Sequence, residues 1–338
     1  MRNIISFLAV LLTISFPACV EEPQFANTPQ GNFEACWKIL NEKYCFFSYK
    51  KEEYGLDWDE VYERYSRQIG ADIKRDSLFK VLNNMMGELR DGHVNLYTPF
   101  NVGRYWTWFQ DYPRNFDANI QRYYLGNDYM IAGGVKYTVL PDSIGYIYYG
   151  SFSSPVGESN LDYILAYLHS CKGIIIDVRD NGGGSLTQVN TIAGRFTNER
   201  LLSGYIQHKT GKGHDDFSDL YPMYLDPSAR IHYNKPVALL TNRSVFSAAN
   251  NFVSVMKLLP QVITVGDRTG GGSGLPFSSE LPNGWSIRFS ASPIYDAEKR
   301  HTEFGIDPDV KVDMRKSDIA DGIDTIIEKA REILSGRF

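Results

Sequence analysis

Strand-like and helix-like hydrophobic patterns alternate through the second half of the chain. Short apolar runs bounded by turn residues predict strands at 144–149, 173–178, 236–241 and 262–266. Apolar residues at helical spacing predict helices at 161–168, from about 186, at 247–258 and at 319–330. The Asn283-Gly284 pair predicts a hairpin between further strands at 277–281 and 285–291. Repeated strand–helix units are typical of an α/β fold with a largely parallel sheet.

The first half of the chain has a different pattern. From Asn32, which can cap a helix, helical patterns follow one another up to about residue 96. The next segment is rich in aromatic residues without a clear period, which predicts strands and loops that cover the core or line a cleft. We therefore expect a helical subdomain at 32–96, an aromatic-rich connecting segment at 97–143 and a core at 144–338.

The first 31 residues have the pattern of an export signal and a tether. An apolar segment at 4–16 follows Arg2, and Phe16-Pro17-Ala18-Cys19 resembles a lipoprotein cleavage box. The pattern predicts a signal peptide at 1–18, a lipid anchor on Cys19 and a polar tether at 19–31. Cleavage by an ordinary signal peptidase is the alternative. A lipid anchor predicts attachment to the outer membrane in the cell envelope of a Gram-negative bacterium, facing the periplasm or the surface.

Composition narrows the class of protein further. The 338 residues are 43% apolar and 22% charged, as in folded globular proteins. The 35 Lys and Arg against 40 Asp and Glu give a net charge of −5, so no nucleic-acid interface is expected. Besides Cys19, the three cysteines Cys36, Cys45 and Cys171 are an odd number and predict no disulfide framework.

Two loops at predicted strand ends hold the candidate chemistry, because ligands bind beyond the carboxyl ends of parallel strands. The glycines of Asp-Val-Arg-Asp-Asn-Gly-Gly-Gly at 177–184 would offer backbone N–H groups to a ligand, or form only a tight turn. In the loop at 241–250, Ser247 begins a helix, where unpaired N–H groups and the positive dipole end suit a nucleophile. The alternative is that Ser247 or Ser244 serves only as an N-cap.

Four segments in this order resemble the C-terminal processing peptidase family of serine peptidases, with its tricorn-core and interphotoreceptor-retinoid-binding-protein branches. Residues 177–184 are similar to the family's D-[LV]-R-x-N-x-G-G. Ser-Ala-Ala-Asn at 247–250 is similar to its S-A-[SA]-E, whose first serine is the nucleophile. Residues 266–272 resemble G-x-x-T-x-G-[KG], and residues 305–310 resemble G-[IV]-x-P-D-[IV]. Order and spacing agree over about 144–312.

Two departures from the family pattern change the expected mechanism. Asn250 replaces the usual Glu, and Gly272 stands where the processing-peptidase branch has its catalytic lysine. A serine hydroxyl needs a base to act as a nucleophile. The tricorn-like branch takes a histidine from a D-[GS]-H-[TV] segment, which residues 91–94 resemble. The resemblance therefore implies His93 as the base, with a pKa at or above its ordinary value of about 6.5; His301 is the alternative base.

The resemblance also implies the groups around this pair. A glutamate shortly before the late G-[IV]-x-P-D segment orients the imidazole in the tricorn-like branch, and Glu303 occupies that place here. Asp91 is the alternative orienting carboxylate. The oxyanion hole would use the backbone N–H groups of Gly183 and Ala248.

The fold implied by the resemblance is a ClpP/crotonase-like spiral α/β core behind an N-terminal helical subdomain. The segment of about fifty residues between His93 and Ile144 is too short for the PDZ domain that many relatives insert there, so none is expected. The implied activity is a serine endopeptidase that hydrolyses exported peptides or unfolded polypeptides, held as an added strand, without metal or organic cofactor. The alternative is a catalytically silent relative that binds an apolar ligand or a peptide. The oligomeric state stays open.

Overall fold

A computed structural model describes residues 24–336 of the chain. The predicted signal peptide at 1–18, the predicted lipidation site Cys19 and residues 20–23 of the predicted tether lie outside the described residues. Within 24–336, no helix combines the length and the apolar character that a membrane crossing requires.

Helices and strands alternate along most of the described chain. The helices are α1 (Pro29–Lys43), α2 (Phe47–Tyr54), α3 (Trp58–Ser66), α4 (Arg75–Gly87), α5 (Thr107–Gln110), α6 (Ala118–Leu125), α7 (Glu158–Tyr167), α8 (Leu186–Ala193), α9 (Ala248–Met256), α10 (Lys316–Ala320) and α11 (Thr325–Gly336). The strands are β1 (Asn95–Tyr97), β2 (Val102–Arg104), β3 (Met130–Ala132), β4 (Val135–Val139), β5 (Gly145–Tyr149), β6 (Ile174–Asp177), β7 (Leu201–Ile206), β8 (Tyr221–Leu225), β9 (Val237–Thr241), β10 (Val262–Gly266), β11 (Gly274–Glu280), β12 (Ser286–Tyr295) and β13 (Val310–Lys311).

A seven-stranded sheet in the order β13-β10-β9-β6-β5-β4-β3 forms the centre of the fold. Its first five strands are parallel, and β4 and β3 complete it as antiparallel strands. Helices cover both faces, with α7, α8 and α9 in one apolar cluster and α11 in the other. This explains why β6 and β9 are apolar at nearly every position rather than alternating.

A second, antiparallel sheet has the order β2-β1-β12-β7-β8, with β11 paired to β12. It shares an apolar cluster with α1, α3 and α4 through residues such as Phe33, Leu82, Ile287 and Phe289. In the described part of the chain, β11 has β12 as its one partner strand, so its other edge is open. The hairpin predicted at Asn283-Gly284 is confirmed as β11 and β12. The pattern did not predict the rest of this sheet, because its other strands come from distant segments.

Three predicted elements differ in the structure. The helix expected at 319–330 is two helices, α10 and α11, because Gly322 with φ +73° turns the chain between them. Helix α1 is capped by Thr28 rather than by Asn32, which is buried and accepts a hydrogen bond from the Asn283 N–H. The aromatic-rich segment contains a regular helix, α6, capped by Asp117.

Candidate active site

Ser247 lies in the turn between β9 and α9, at the residue before the helix begins. Its φ of +57° and ψ of −123° are rare for a residue with a side chain, so the turn holds Ser247 under backbone strain. The Ser247 Oγ lies 3.0 Å from Nε2 of His93, which follows α4. The structure thus brings together two residues that are 154 positions apart in the sequence.

The His93 imidazole is buried, with its ring centroid 4.8 Å from that of Phe246. Burial lowers the pKa of His93 to about 4, although the nearby Asp91 carboxylate opposes the shift. This differs from the expectation of a pKa at or above the ordinary value, because the cost of burying a charged imidazole exceeds the carboxylate's attraction. At neutral pH the ring is therefore unprotonated and can accept a proton from Ser247.

Glu303 does not make the expected direct contact with the imidazole. Its Oε1 accepts from the Lys50 ammonium at 3.1 Å, and its Oε2 accepts from the Ser273 N–H at 2.9 Å. The His93 Nδ1 is buried and has no hydrogen-bond partner among the described residues. Both oxygens of Glu303 are committed elsewhere, which corrects the role of imidazole-orienting partner expected for it.

Asp91, the alternative orienting residue, contacts His93 directly, but through the backbone rather than the ring. One oxygen of Asp91 accepts from the His93 N–H at 2.7 Å. The other accepts from the hydroxyls of Tyr44 and Ser290, at 3.0 and 2.8 Å. This carboxylate therefore fixes the segment that carries His93 and supplies a negative charge near the ring.

Lys50 is a member of the site that the sequence analysis missed. It belongs to α2, its ammonium is fully buried, and it donates to the Arg90 carbonyl at 3.1 Å as well as to Glu303. Burial and the neighbouring Asp91 raise the pKa of Glu303 to about 8, and Lys50 opposes that shift. Lys50 thus favours the ionised form of a buried carboxyl group that, at this pKa, is largely protonated at neutral pH.

The two expected oxyanion donors have different surroundings. The Ala248 N–H, at the start of α9, has no acceptor among the described residues. The Gly183 N–H instead donates to Asn181 Oδ1 at 3.0 Å, so an oxyanion would have to compete with that bond. Gly183 nevertheless lies against Ser247, because a Cβ added there would be 2.8 Å from the Ser247 Cβ.

Both departures from the family pattern have a structural reason. Gly272 has φ +78°, and a Cβ added there would lie 2.3 Å from the Phe246 ring, which fills the space of a longer side chain. Asn250 is buried and uses both ends of its amide, donating to the Thr302 carbonyl at 3.2 Å and accepting from the Thr269 hydroxyl at 2.6 Å.

The alternative nucleophile and base lie outside this arrangement. The Ser244 N–H donates to Asn242 Oδ1 at 3.2 Å within the loop before Ser247. The His301 ring stacks on Tyr49 with centroids 4.1 Å apart, and burial lowers its pKa to about 4. His301 therefore packs as an aromatic ring away from the Ser247 hydroxyl.

Comparison with known proteins places this arrangement in a family. Residues 143–312 match the model of peptidase family S41. The chain belongs to peptidase family S41. In addition, residues 25–87 of this S41 chain match the tricorn protease C1 domain. These matches confirm the resemblance inferred from the four sequence segments.

Solved structures of S41-like proteins share the fold. A protein of Parabacteroides merdae, provisionally assigned as a peptidase, is 55% identical, with a TM-score of 0.89 over 93% of this chain and 98% of that one. Mature CPAF in complex with lactacystin is 12% identical, with a TM-score of 0.70 over 91% and 97%. The photosystem II D1 C-terminal processing protease is 14% identical, with a TM-score of 0.55 over 89% and 97%. The α/β fold with an N-terminal helical region is confirmed, and residues 94–143 form short strands and helices rather than a PDZ domain.

Curated relatives match this S41 chain over a shorter range. It is 27% identical over 132 residues to a protein of Chlamydia trachomatis, which is 36% of this chain. It is also 27% identical over 167 residues, or 48% of this chain, to a Sulfurisphaera tokodaii protein provisionally named a tricorn-like protease C-terminal subunit. The chain spans 22% and 17% of the lengths of these two relatives.

Proposed function

We propose that the protein is a serine endopeptidase that hydrolyses exported peptides or proteins, with Ser247 as the nucleophile and His93 as the general base. The observation that carries this proposal is the 3.0 Å contact between the Ser247 Oγ and the His93 Nε2 at the start of a helix. A hydroxyl within hydrogen-bond reach of a neutral imidazole is the arrangement required for nucleophilic acyl transfer.

The proposed reaction uses the groups around this contact in order. His93 Nε2 takes the hydroxyl proton while the Ser247 Oγ attacks the peptide carbonyl carbon. The negative charge on the carbonyl oxygen faces the Ala248 N–H and the positive end of α9. The imidazolium then gives its proton to the leaving amine, and the acyl-enzyme is hydrolysed by a water that His93 deprotonates.

The substrate is proposed to bind in extended form along β11. A cavity of about 80 Å³ beside Ser247 is lined by Ala248 on one side and by Leu275 and Pro276 of β11 on the other. The open edge of β11 offers backbone groups to which a polypeptide can add as a strand. A strand bound there would present its backbone, whatever its sequence, to the nucleophile.

The test of the nucleophile is Ser247→Ala, compared with Ser244→Ala as a matched control three residues away. We expect Ser247→Ala to abolish cleavage of fluorogenic peptides and labelling by a fluorophosphonate probe, while circular dichroism shows an intact fold. Ser244→Ala should retain both activities. Normal turnover in a folded Ser247→Ala protein would contradict the assignment.

We also propose that the protein is exported and anchored by a lipid on Cys19 in the envelope of a Gram-negative bacterium. The apolar segment at 4–16 and the sequence before Cys19 support this. Cells that express the parent should incorporate labelled palmitate into the protein, and Cys19→Ala should abolish the label and release a soluble exported form. An unlabelled parent protein would argue against the anchor.

A further inference from the structure

A second cavity, of about 520 Å³, lies near the candidate active site. We call it the aromatic cavity, because four of its lining residues, Trp106, Trp108, Phe109 and Tyr112, are aromatic. They come from the connecting segment, and the opposite wall is formed by the loops that follow β6 and β9, at 180–182 and 243–244. The reaction proposed above makes no use of this space.

The aromatic cavity is linked to the His93 imidazole through two packed rings. The Trp108 ring stacks on Phe246 with centroids 4.2 Å apart, and Phe246 in turn contacts the His93 ring. A Cβ added to Gly92, the residue before the base, would lie 2.7 Å from the Trp108 indole nitrogen. Trp108 therefore connects the cavity to the side of the site on which the imidazole lies.

The leaving group of a peptide substrate must lie on the His93 side of the site. In acyl transfer the imidazolium gives its proton to the departing amine, so the residues after the scissile bond lie next to the base. The other cavity, between Ala248 and β11, would then hold the substrate residues that precede the scissile bond. An extended substrate through the site would run from one cavity toward the other.

The lining favours an uncharged, ring-shaped occupant. The Arg243 guanidinium is fixed 3.6 Å above the Tyr112 ring and donates to the Thr269 carbonyl at 3.0 Å. Arg114 is paired with Asp180 at 3.2 Å. Both cations at the rim already have partners, so neither selects an acidic side chain strongly.

Two rings of the cavity are partly exposed to solvent. Trp106 and Tyr112 are 40% and 45% exposed, which is high for large rings, and covering them would remove apolar surface from water. The volume is within the range of small-ligand sites and accommodates a Phe, Tyr or Trp side chain.

We propose that the aromatic cavity is the specificity site for the leaving-group side of the substrate, and that it binds a large aromatic side chain just after the scissile bond. This inference rests on the proposed peptidase function, because it assigns the side of the cavity from the role of His93.

The experiment compares quenched peptides that differ only in having Phe, Gly or Asp at the first or second position after the scissile bond. The parent should cleave the Phe peptide with about tenfold higher kcat/KM than the Gly peptide, mainly through KM, because an aromatic contact of this size contributes about 1.4 kcal/mol. Trp106→Ala should remove the preference, so that the variant cleaves the Phe and Gly peptides with similar kcat/KM. Tyr123→Ala, which removes a 79% exposed ring outside the cavity, should change neither.

Binding by the Ser247→Ala protein, followed by tryptophan fluorescence, tests the same preference without turnover. The Phe peptide should bind about tenfold tighter than the Gly peptide, and Trp106→Ala should abolish the difference. Equal cleavage and binding of all three peptides would overturn the proposal while Ser247-dependent hydrolysis stands. A preference for Phe before the bond would overturn the assignment of the side. Absent cleavage and absent fluorophosphonate labelling, with selective binding intact, would instead count against the peptidase function alone.

Discussion

Neighbouring groups shift the pKa of the His93 imidazole in opposite directions. Burial lowers its pKa most, Asp91 opposes this, and Arg288 adds to it. A base with a low pKa is unprotonated across the neutral range but holds a proton weakly. In the proposed reaction, Asp91 therefore matters most after His93 has taken the proton of Ser247, because its carboxylate then lies near an imidazolium.

The pH dependence of activity should reflect this burial. We expect kcat/KM for a fluorogenic peptide to be constant between about pH 6 and about pH 8, and to fall only as His93 takes a proton, with a midpoint near its pKa of about 4. Circular dichroism at each pH verifies that the protein is still folded. A midpoint between pH 6 and 7 would show that the imidazole is not buried in the active form.

Two substitutions should move this midpoint in opposite directions. Asp91→Asn removes the carboxylate that raises the pKa of His93, so the acidic limb should shift to lower pH. Arg288→Gln removes a positive charge that lowers the pKa, so the limb should shift to higher pH. Shifts of the same sign in both variants would contradict this electrostatic account.

Lys50 should be more important for stability than any other lysine of its helix. Lys50→Met leaves the buried carboxylates of Glu303 and Asp91 without their cation, so the free energy of unfolding should fall by about 3–5 kcal/mol. Lys50 holds the pKa of Glu303 below the value that burial alone would give. The loss should therefore be larger near pH 9, where the parent has an ionised Glu303, than near pH 6, where Glu303 is protonated in both proteins.

Urea unfolding of Lys50→Met, Lys51→Met and a double variant tests the role of Lys50 in stability. Lys51→Met, which changes the exposed neighbour of Lys50, should alter the free energy of unfolding by less than about 0.5 kcal/mol. The double variant Lys50→Met/Glu303→Gln should recover much of the stability lost in Lys50→Met. Equal losses in the single and double variants would show that the two charges are not coupled.

At the scale of elements, Asn250 connects α9 to two other segments. Its amide joins the helix to Thr302, just before Glu303, and to Thr269 in the loop after β10. The amide thus keeps the helix that follows the nucleophile in register with the segment of the buried carboxylate.

Asn250→Asp tests the connection with a change of one atom. The carboxylate would face the Thr302 carbonyl without a proton to donate, so we expect a loss of about 3 kcal/mol in the free energy of unfolding at pH 7.5. The loss should shrink at low pH, where the carboxyl is protonated. Asn251→Asp, at the half-buried neighbouring position, is the matched control. Urea unfolding that gives the same loss for both variants would count against the connection.

At the scale of the whole molecule, the glycine-rich loop is tied to the C-terminal helix by a buried ion network. The fully buried Arg179 donates to Asp177 at 2.9 and 2.7 Å and to Asp324 at 3.0 Å. Asp324 also caps α11 by accepting from two N–H groups. The position of Gly183 therefore depends on a helix on the opposite face of the central sheet.

Asp324→Asn removes the negative charge beside Arg179 but keeps the helix cap, because asparagine can still accept hydrogen bonds at a helix N-terminus. We expect the free energy of unfolding to fall by about 3 kcal/mol, since Arg179 loses a buried counter-charge. Fluorophosphonate labelling of Ser247 should slow as the loop loosens. Asp321→Asn, at an exposed position, should change neither the labelling rate nor the urea midpoint. Unchanged labelling in Asp324→Asn would show that the loop does not depend on α11.

The sequence predicted those elements of the fold that have a clear local hydrophobic pattern. The continuous apolar runs of β6, β9 and β10 identify buried parallel strands, and the observed bounds differ from the predicted ones by one residue or less. Of the antiparallel sheet, only the β11–β12 hairpin was predicted, because pairings such as Leu96 with Ile287 join segments that carry no local sign of one another. Long-range pairing depends on the whole chain.

Some residues of the candidate site could likewise be predicted from local sequence, and others could not. Ser247 and His93 were predicted because each lies in a short segment that resembles a family motif. Lys50 was not, because it lies in the charged sequence Lys50-Lys51-Glu52-Glu53, which is typical of an exposed helix. Glu303 was placed in the right region, but its partner could not be read from spacing, since that partner is 253 positions away.

The positive φ of Ser247 has a consequence for anyone who redesigns this chain. Glycine adopts that backbone freely, so it would relieve about 1–3 kcal/mol of strain at this position. A search for stabilising substitutions would therefore select the change that deletes the hydroxyl. If Ser247 is the nucleophile, as proposed, that gain in stability would come with the loss of catalysis.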